Sequence, residues 1–278
     1  MIFRLAAVCS LLFAVQQHAA YAQDQAPAPH LLPGSLESIV SDVSIEKNGE
    51  IEVVQTYTVR INGHRLNGLN VTLPLRGDPC ANPPRFIGAR ILSVTRNGTL
   101  EKWTVVRPPA GVRKPNILRT GTRGVHLSDG EHVFAVRYRA RGQVRESGPM
   151  HEIHCSFGGF RAGVKIALAR IRLPEPVEFQ KVALFTGRYG AIGDRAHVTE
   201  QGAGYVAIAS KGSLDPVTGI TAVLSWKKGI VNIPPPTEAE IAAAQKQRKH
   251  EKEFNCLTSS ISKFDLAEVI GMELSLWN

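Results

Sequence analysis

Residues 42–61 are the stretch that most constrains how this chain folds. Apolar and polar side chains alternate along its second half, which predicts a β-strand with one buried face. Asn48-Gly49 precedes that strand and predicts a hairpin turn in which both residues take positive φ. A hairpin with one apolar face is not stable alone in water, so the rest of the chain must supply a second layer. The predicted buried face consists of Ile51, Val53, Gln55, Tyr57, Val59 and Ile61.

The region after this hairpin has the pattern of an all-β protein. Short alternating segments are separated by turn residues about every eight to twelve positions, as in sandwich folds. Asn97-Gly98 predicts a second hairpin over residues 90–106. We therefore predict a mainly β fold, a single antiparallel β-sandwich of immunoglobulin-like layering over residues 38–233. We expect the apolar face of the first hairpin to pack against strands at 131–139 and 164–173.

The N-terminus has the pattern of an export signal. Residues 1–4 are short and positively charged, residues 5–15 are apolar, and Ala20-Tyr21-Ala22 fits a cleavage site. The apolar run is too short to span a bilayer. We predict a signal peptide at 1–22 and a Pro/Ala linker at 23–37. The expected location is the periplasm or cell envelope of a bacterium.

The composition changes again at residues 234–236, which are three prolines. Thr237 and Glu240 form a capping-box pattern, and strong helix formers follow. We predict a Pro-rich break and a helical tail over residues 234–278. The mature chain shows no transmembrane helix, so membrane association would require a missing anchor or an anchor on a partner.

The charge balance limits the class of partner. The formal net charge is +9, but lysines and arginines are scattered and form no long basic run. This pattern predicts a solvated basic surface rather than a nucleic-acid-binding arm. We expect no nucleic-acid partner, and an envelope protein or polymer of unknown identity instead.

The cysteines allow one disulfide in an exported protein. Cys9 would leave with the signal peptide, which leaves Cys80, Cys155 and Cys256. Cys80 and Cys155 both lie in the β-rich region, so we predict them as the pair. Closing so long a loop would stabilise the fold by about 4 kcal/mol.

The segment His151-Glu152-Ile153-His154-Cys155 contains the candidate metal ligands. Its histidines are three residues apart, one fewer than the zinc-protease motif requires. On a strand, His151 and Cys155 would share a face and are the candidate ligands, whereas His154 would face the other way. No third ligand is visible, so we predict no metal site. The sequence also contains no nucleophile elbow, phosphate-binding loop or dinucleotide motif, and we predict no catalytic residue and no cofactor.

Several segments, in the same order, are similar to one family. The first hairpin, residues 68–74 (GLNVTLP), 129–139 (DGEHVFAVRYR), 198–202 (VTEQG) and 219–231 (GITAVLSWKKGIV) resemble consecutive segments of the YciQ-like predicted membrane proteins, the domain of unknown function 2207. The resemblance covers residues 39–236. It departs where Val71-Thr72 replaces an Arg-Asp pair and where residues 151–160 replace an aromatic segment. It implies a β-sandwich outside the membrane and implies no chemistry.

The expected function is a non-catalytic, extracytoplasmic binding or interaction module. Loops at 77–84 and 108–124, together with strand edges, are the expected contact surfaces. Two alternatives remain open at this stage. One is an envelope glycan hydrolase, because paired carboxylates have no fixed sequence spacing. The other is a truncated family member without retained function.

Overall fold

The computed structural model describes residues 35–63, 65–73, 88–106, 116–158, 163–187, 193–216, 218–239, 241–242 and 274–277. Most of them lie in strands, which confirms the mainly β prediction. The strands are β1 (Ser35–Ile45), β2 (Ile51–Ile61), β3 (Gly68–Leu73), β4 (Gly88–Arg96), β5 (Thr99–Leu100), β6 (Trp103–Val106), β7 (Asn116–Thr120), β8 (Gly130–Arg141), β9 (Val144–Ser147), β10 (Met150–Gly158), β11 (Val164–Arg172), β12 (Lys181–Gly187), β13 (Ala196–Gly202), β14 (Tyr205–Ser210), β15 (Gly219–Lys227) and β16 (Leu274–Trp277).

The first hairpin lies at the centre of an eight-stranded sheet with the order β13-β14-β11-β1-β2-β8-β4-β5. Side chains of β2 alternate between buried and partly exposed, as its sequence predicts. Gln55 is tolerated on the buried face because both polar atoms of its amide are hydrogen-bonded. Its Nε2 donates to Ser41 Oγ at 3.2 Å, and the Tyr57 hydroxyl donates to its Oε1 at 2.6 Å.

The prediction of an antiparallel sheet is wrong at one strand pair. β1 and β11 are parallel, with Leu36 opposite Val164 and Ser44 opposite Arg172. The long intervening chain allows this, since a parallel neighbour requires a crossover. β8 and β11 are also lateral neighbours of the hairpin and do not pack against its apolar face. The immunoglobulin-like layering stays a prediction.

A second sheet has the order β12-β15-β10-β9 and contributes to the same buried core as the first. Alternate residues of β10 and β15 join the same buried cluster as β2 and β8. Cys155 of β10 lies near enough to Tyr138 of β8 to contribute, after burial itself, to raising the pKa of that phenol. Tyr57, Phe134 and Trp226 are among the largest fully buried side chains. The third sheet has the order β16-β3-β7-β6.

The two Asn-Gly dipeptides form different turns. Asn97 and Gly98 have φ of 51° and 80° and join β4 to β5 in a two-residue loop, as in a type I′ turn. In the first hairpin only Gly49 has positive φ, at 76°, so the expectation for Asn48 is wrong. The loop there is longer. The hydrogen bond that closes it runs from the Glu46 amide to the Glu50 carbonyl at 2.8 Å.

The predicted second hairpin continues only as far as β5. The Glu101 amide donates to the Val94 carbonyl at 2.9 Å, and the Lys102 carbonyl accepts from Gly121 at 2.7 Å. These bonds redirect the chain, and β6 pairs with β7 in the third sheet.

The ends of the described chain differ from the predicted boundaries. β1 begins at Ser35, inside the predicted linker, and the predicted signal peptide lies outside the described residues. In the predicted helical tail, the Ile241 amide donates to the Thr237 carbonyl at 2.9 Å, the spacing of a helical hydrogen bond, and residues 243–273 lie outside the described chain. The last four described residues instead form β16, antiparallel to β3. Their alternation suits a strand, and pairing satisfies the backbone groups of the β3 edge.

Candidate functional site

The structure separates the two predicted metal-ligand candidates. His151 and Cys155 are buried on the same face of β10, with Ile153 between them. Four residues along a strand span about 13 Å, whereas zinc bonds are about 2.0–2.3 Å long. This geometry does not support a shared metal site. Across the described stretches, no group of three or more His, Cys, Asp or Glu side chains could hold a metal ion.

Burial shifts the pKa values of both candidate ligands, His151 and Cys155. The His151 ring packs edge-to-face against Trp226 with centroids 6.1 Å apart, and burial lowers the pKa of His151. Burial raises the pKa of the Cys155 thiol to about 12, which makes it a poor nucleophile. Among the described residues Cys155 has no disulfide partner, and Cys80 lies outside them. Their disulfide stays a prediction.

The opposite face of β10 carries a covered polar cluster that sequence reasoning missed. Glu152 and His154 are two residues apart, and Glu152 is directly opposite Arg145 of β9. His154 Nε2 lies 2.6 Å from Glu152 Oε1, and Arg145 Nη2 contacts both side chains. Side-chain exposure of only 10% and 11% for His154 and Glu152 leaves little room for a substrate. Period-two alternation could have placed Glu152 and His154 together, but the register with β9 could not be predicted.

The face of the eight-stranded sheet that points away from the buried cluster is a second candidate surface. We call this surface the open face. Its centre has short or branched side chains, none of which belongs to the buried cluster. Ile166 is 51% exposed. The central band consists of Ser38, Val40, Val54, Thr56, Thr58, Val133, Ala135, Ile166 and Leu168.

Charged side chains flank this band at both ends. At one end Arg60 lies 3.1 Å from Glu131 and 3.8 Å from Glu37, and Lys165 lies 2.6 Å from Glu37. Two cations and two anions balance there. The ion pairs join neighbouring strands and leave no excess charge.

The other end is rich in arginine. Arg139 and Arg137 donate through Nε to the two carboxylate oxygens of Glu52 at 2.8 and 2.7 Å. These two guanidinium groups lower the pKa of Glu52. Farther across the sheet, Arg170 donates to Asp42 at 3.1 Å. Arg172 lies over the Tyr205 ring at 5.1 Å from its centroid.

An open groove lies beside this end, where the loop after β11 meets the turn between β13 and β14. Glu175 and Glu200 are its carboxylates, with Arg172 and Tyr205 in the same lining. Lys47 forms an ion pair with Glu175 at 2.8 Å.

The predicted contact loop at 77–84 and residues 108–115 lie outside the described residues. Within the part of the chain that is described, no helix is long and apolar enough to cross a membrane.

Solved structures share only a distant likeness with this chain. Leukotriene A4 hydrolase from Saccharomyces cerevisiae has a TM-score of 0.42 and 8% identity, over 69% of this chain and 29% of that one. The M1 zinc metallopeptidase from Deinococcus radiodurans has a TM-score of 0.37 and 12% identity, over 69% of this chain and 42% of that one. This chain therefore spans less than half the length of either structure. Likeness this weak supports no argument about activity.

Comparison with family models gives a definite result. No curated protein matches the sequence significantly. The model described as the N-terminal domain of a predicted membrane protein, DUF2207, matches residues 35–226. The match begins with β1, ends within β15 and includes both flanks of the open face. This chain therefore belongs to the DUF2207 family of predicted membrane proteins.

Proposed function

We propose that this chain is a non-catalytic interaction module that acts outside the cytoplasm. The observation that carries the proposal is the open face. It presents a continuous band of short side chains across β11, β1, β2 and β8. Threonine, valine and isoleucine have few rotamers, so little side-chain entropy is lost when a partner covers them. Family membership supports a role at a membrane, and the predicted export signal supports an extracytoplasmic location.

Photo-crosslinking in intact cells tests the surface. A benzoylphenylalanine residue replaces Ile166, which is 51% exposed within the open face. The matched control replaces Val125, which is 60% exposed in the turn between β7 and β8. We expect a discrete adduct, with protein or lipid, from position 166 and none from position 125. Equal or absent adducts at both positions would count against the open face.

Cell fractionation tests the location. We expect the chain in the periplasm or cell envelope and processed after Ala22, as the sequence pattern predicts. Recovery of the unprocessed chain in the cytoplasm would contradict an extracytoplasmic module. This experiment is independent of which surface makes the contact.

Within the part of the chain that the structure describes, the glycan-hydrolase alternative would use the groove carboxylates Glu175 and Glu200. Such an enzyme requires one carboxyl group that stays protonated, which a site shielded from water favours. Glu175 is 42% exposed and forms an ion pair with Lys47 at 2.8 Å, so it is not shielded from water. For this reason we favour binding over hydrolysis. Release of soluble sugars from purified cell wall by the wild-type chain, and its loss in Glu200→Gln, would reverse this preference.

A further inference from the structure

Three arginines crowd two neighbouring strands at one end of the open face, and we call this group the arginine cluster. It consists of Arg90 on β4 and Arg137 and Arg139 on β8. The register places Arg139 directly opposite Arg90. Like charges in directly opposite positions destabilise a sheet. This arrangement works against folding stability, and such arrangements concentrate at functional sites.

The carboxylate in direct contact with the cluster is Glu52, which binds Arg137 and Arg139. Arg90 forms no ion pair with any residue that the structure describes. Side-chain exposures are 52% for Arg137 and 41% for Arg139, so much of each guanidinium faces solvent. A guanidinium has five N–H donors, and Glu52 accepts only some of them. The cluster therefore retains unused donors and positive charge.

The other described carboxylates near the arginine cluster do not form ion pairs with its guanidinium groups. Glu46 and Glu50 in the first hairpin turn act on Arg139 only through space. The far end of the open face is balanced one to one by Arg60, Lys165, Glu37 and Glu131. The arginine cluster therefore carries more positive charge than its one contacting carboxylate, Glu52, neutralises.

We infer that the arginine cluster binds the phosphate groups of an anionic phospholipid surface. The planar fork of arginine matches phosphate oxygens in pairs, which a lysine ammonium cannot do. The sheet face can approach a planar surface, and membership of a predicted membrane protein family brings a bilayer within reach. This inference rests on the proposed function, because it names the partner of one end of the open face.

Vesicle sedimentation of the purified chain tests the inference. One set of vesicles is phosphatidylcholine alone, and the other contains about 30% phosphatidylglycerol as the anionic lipid. We expect binding to the anionic vesicles only, and weaker binding as salt increases. Each arginine lost near an anionic surface weakens binding about fivefold. Arg90→Gln should therefore weaken it about fivefold, and the double variant Arg90→Gln/Arg137→Gln about 25-fold.

Two further variants separate a binding role from a structural one. Glu52→Gln removes the contacting anion, so we expect tighter vesicle binding even though the fold loses two ion pairs. Arg60→Gln, at the balanced end, should leave binding unchanged. Weaker binding in Glu52→Gln, or equal losses in Arg60→Gln and Arg90→Gln, would overturn the inference.

Soluble anions distinguish the alternative partner. If heparin or inorganic phosphate binds through the cluster while anionic vesicles do not, the lipid inference is wrong and a soluble polymer is the partner. The proposed function would survive that result. It would fail only if the crosslinking contrast between positions 166 and 125 also disappeared.

Discussion

At the residue scale, the tightest backbone approach among the glycines that the structure describes lies at Gly121. Its φ is 87°, and a Cβ atom there would lie 2.0 Å from the Asn67 carbonyl oxygen. We expect Gly121→Ala to lower the free energy of unfolding by about 3 kcal/mol, because both backbone angle and contact must change. Gly124 in the same turn has a φ of 80° but open space around it, so Gly124→Ala should cost about 1 kcal/mol. Urea unfolding measures the free energy of unfolding of both variants. Equal losses in the two would contradict the close backbone approach at Gly121.

A second residue-scale prediction concerns pH. Burial lowers the pKa of His151 below its ordinary value of 6.5, so the folded state binds fewer protons than the unfolded state. The stabilisation from neutral His151 is present above pH 6.5 and is lost as the pH falls toward the folded-state pKa. Between pH 7 and 5, we expect wild type to lose more stability than His151→Phe. Denaturant titrations at both pH values measure this, and parallel losses would show that His151 is not the group responsible.

At the element scale, the two Asn-Gly turns should respond differently to the same change. Asn97 has positive φ, and its Oδ1 accepts from the Val133 amide at 2.8 Å. We expect Asn97→Ala to cost about 1–2 kcal/mol. Asn48 lacks positive φ and accepts only from the nearby Glu50 amide, so Asn48→Ala should cost about 0.5 kcal/mol. Thermal unfolding compares the two variants, and the reverse order would contradict the assigned turn types.

The same elements show how far the sequence could predict the fold. Local alternation correctly identified the buried face of β2, and Asn-Gly correctly located both turns. Turn type could not be predicted, because contacts from a distant part of the chain also shape the first hairpin. The Lys47 carbonyl in that turn accepts a hydrogen bond from the Asn232 amide. The parallel pairing of β1 with β11 depends on contacts such as Arg170 with Asp42, which are 128 residues apart. Periodicity carries no information about such partners.

At the scale of the whole molecule, the proposed functional surface emerges only from strand order. Each arginine of the cluster is an ordinary polar entry in its own strand. They become a cluster because β8 lies between β2 and β4. The candidates visible in sequence, His151 and Cys155, proved to be buried and separate. The family could be recognised from ordered short segments, whereas the open face required the register of four strands.

The central claim is that the open face is covered by a partner in the cell envelope. Maleimide labelling of Ile166→Cys and Val125→Cys, read by mass spectrometry of the peptides holding those positions, tests it most directly. Both side chains are well exposed, at 51% and 60%, so both thiols should react quickly in the purified protein. In the intact envelope we predict several-fold slower labelling at position 166 and unchanged labelling at position 125. Equal labelling rates at position 166 in the purified protein and in the envelope would contradict the account.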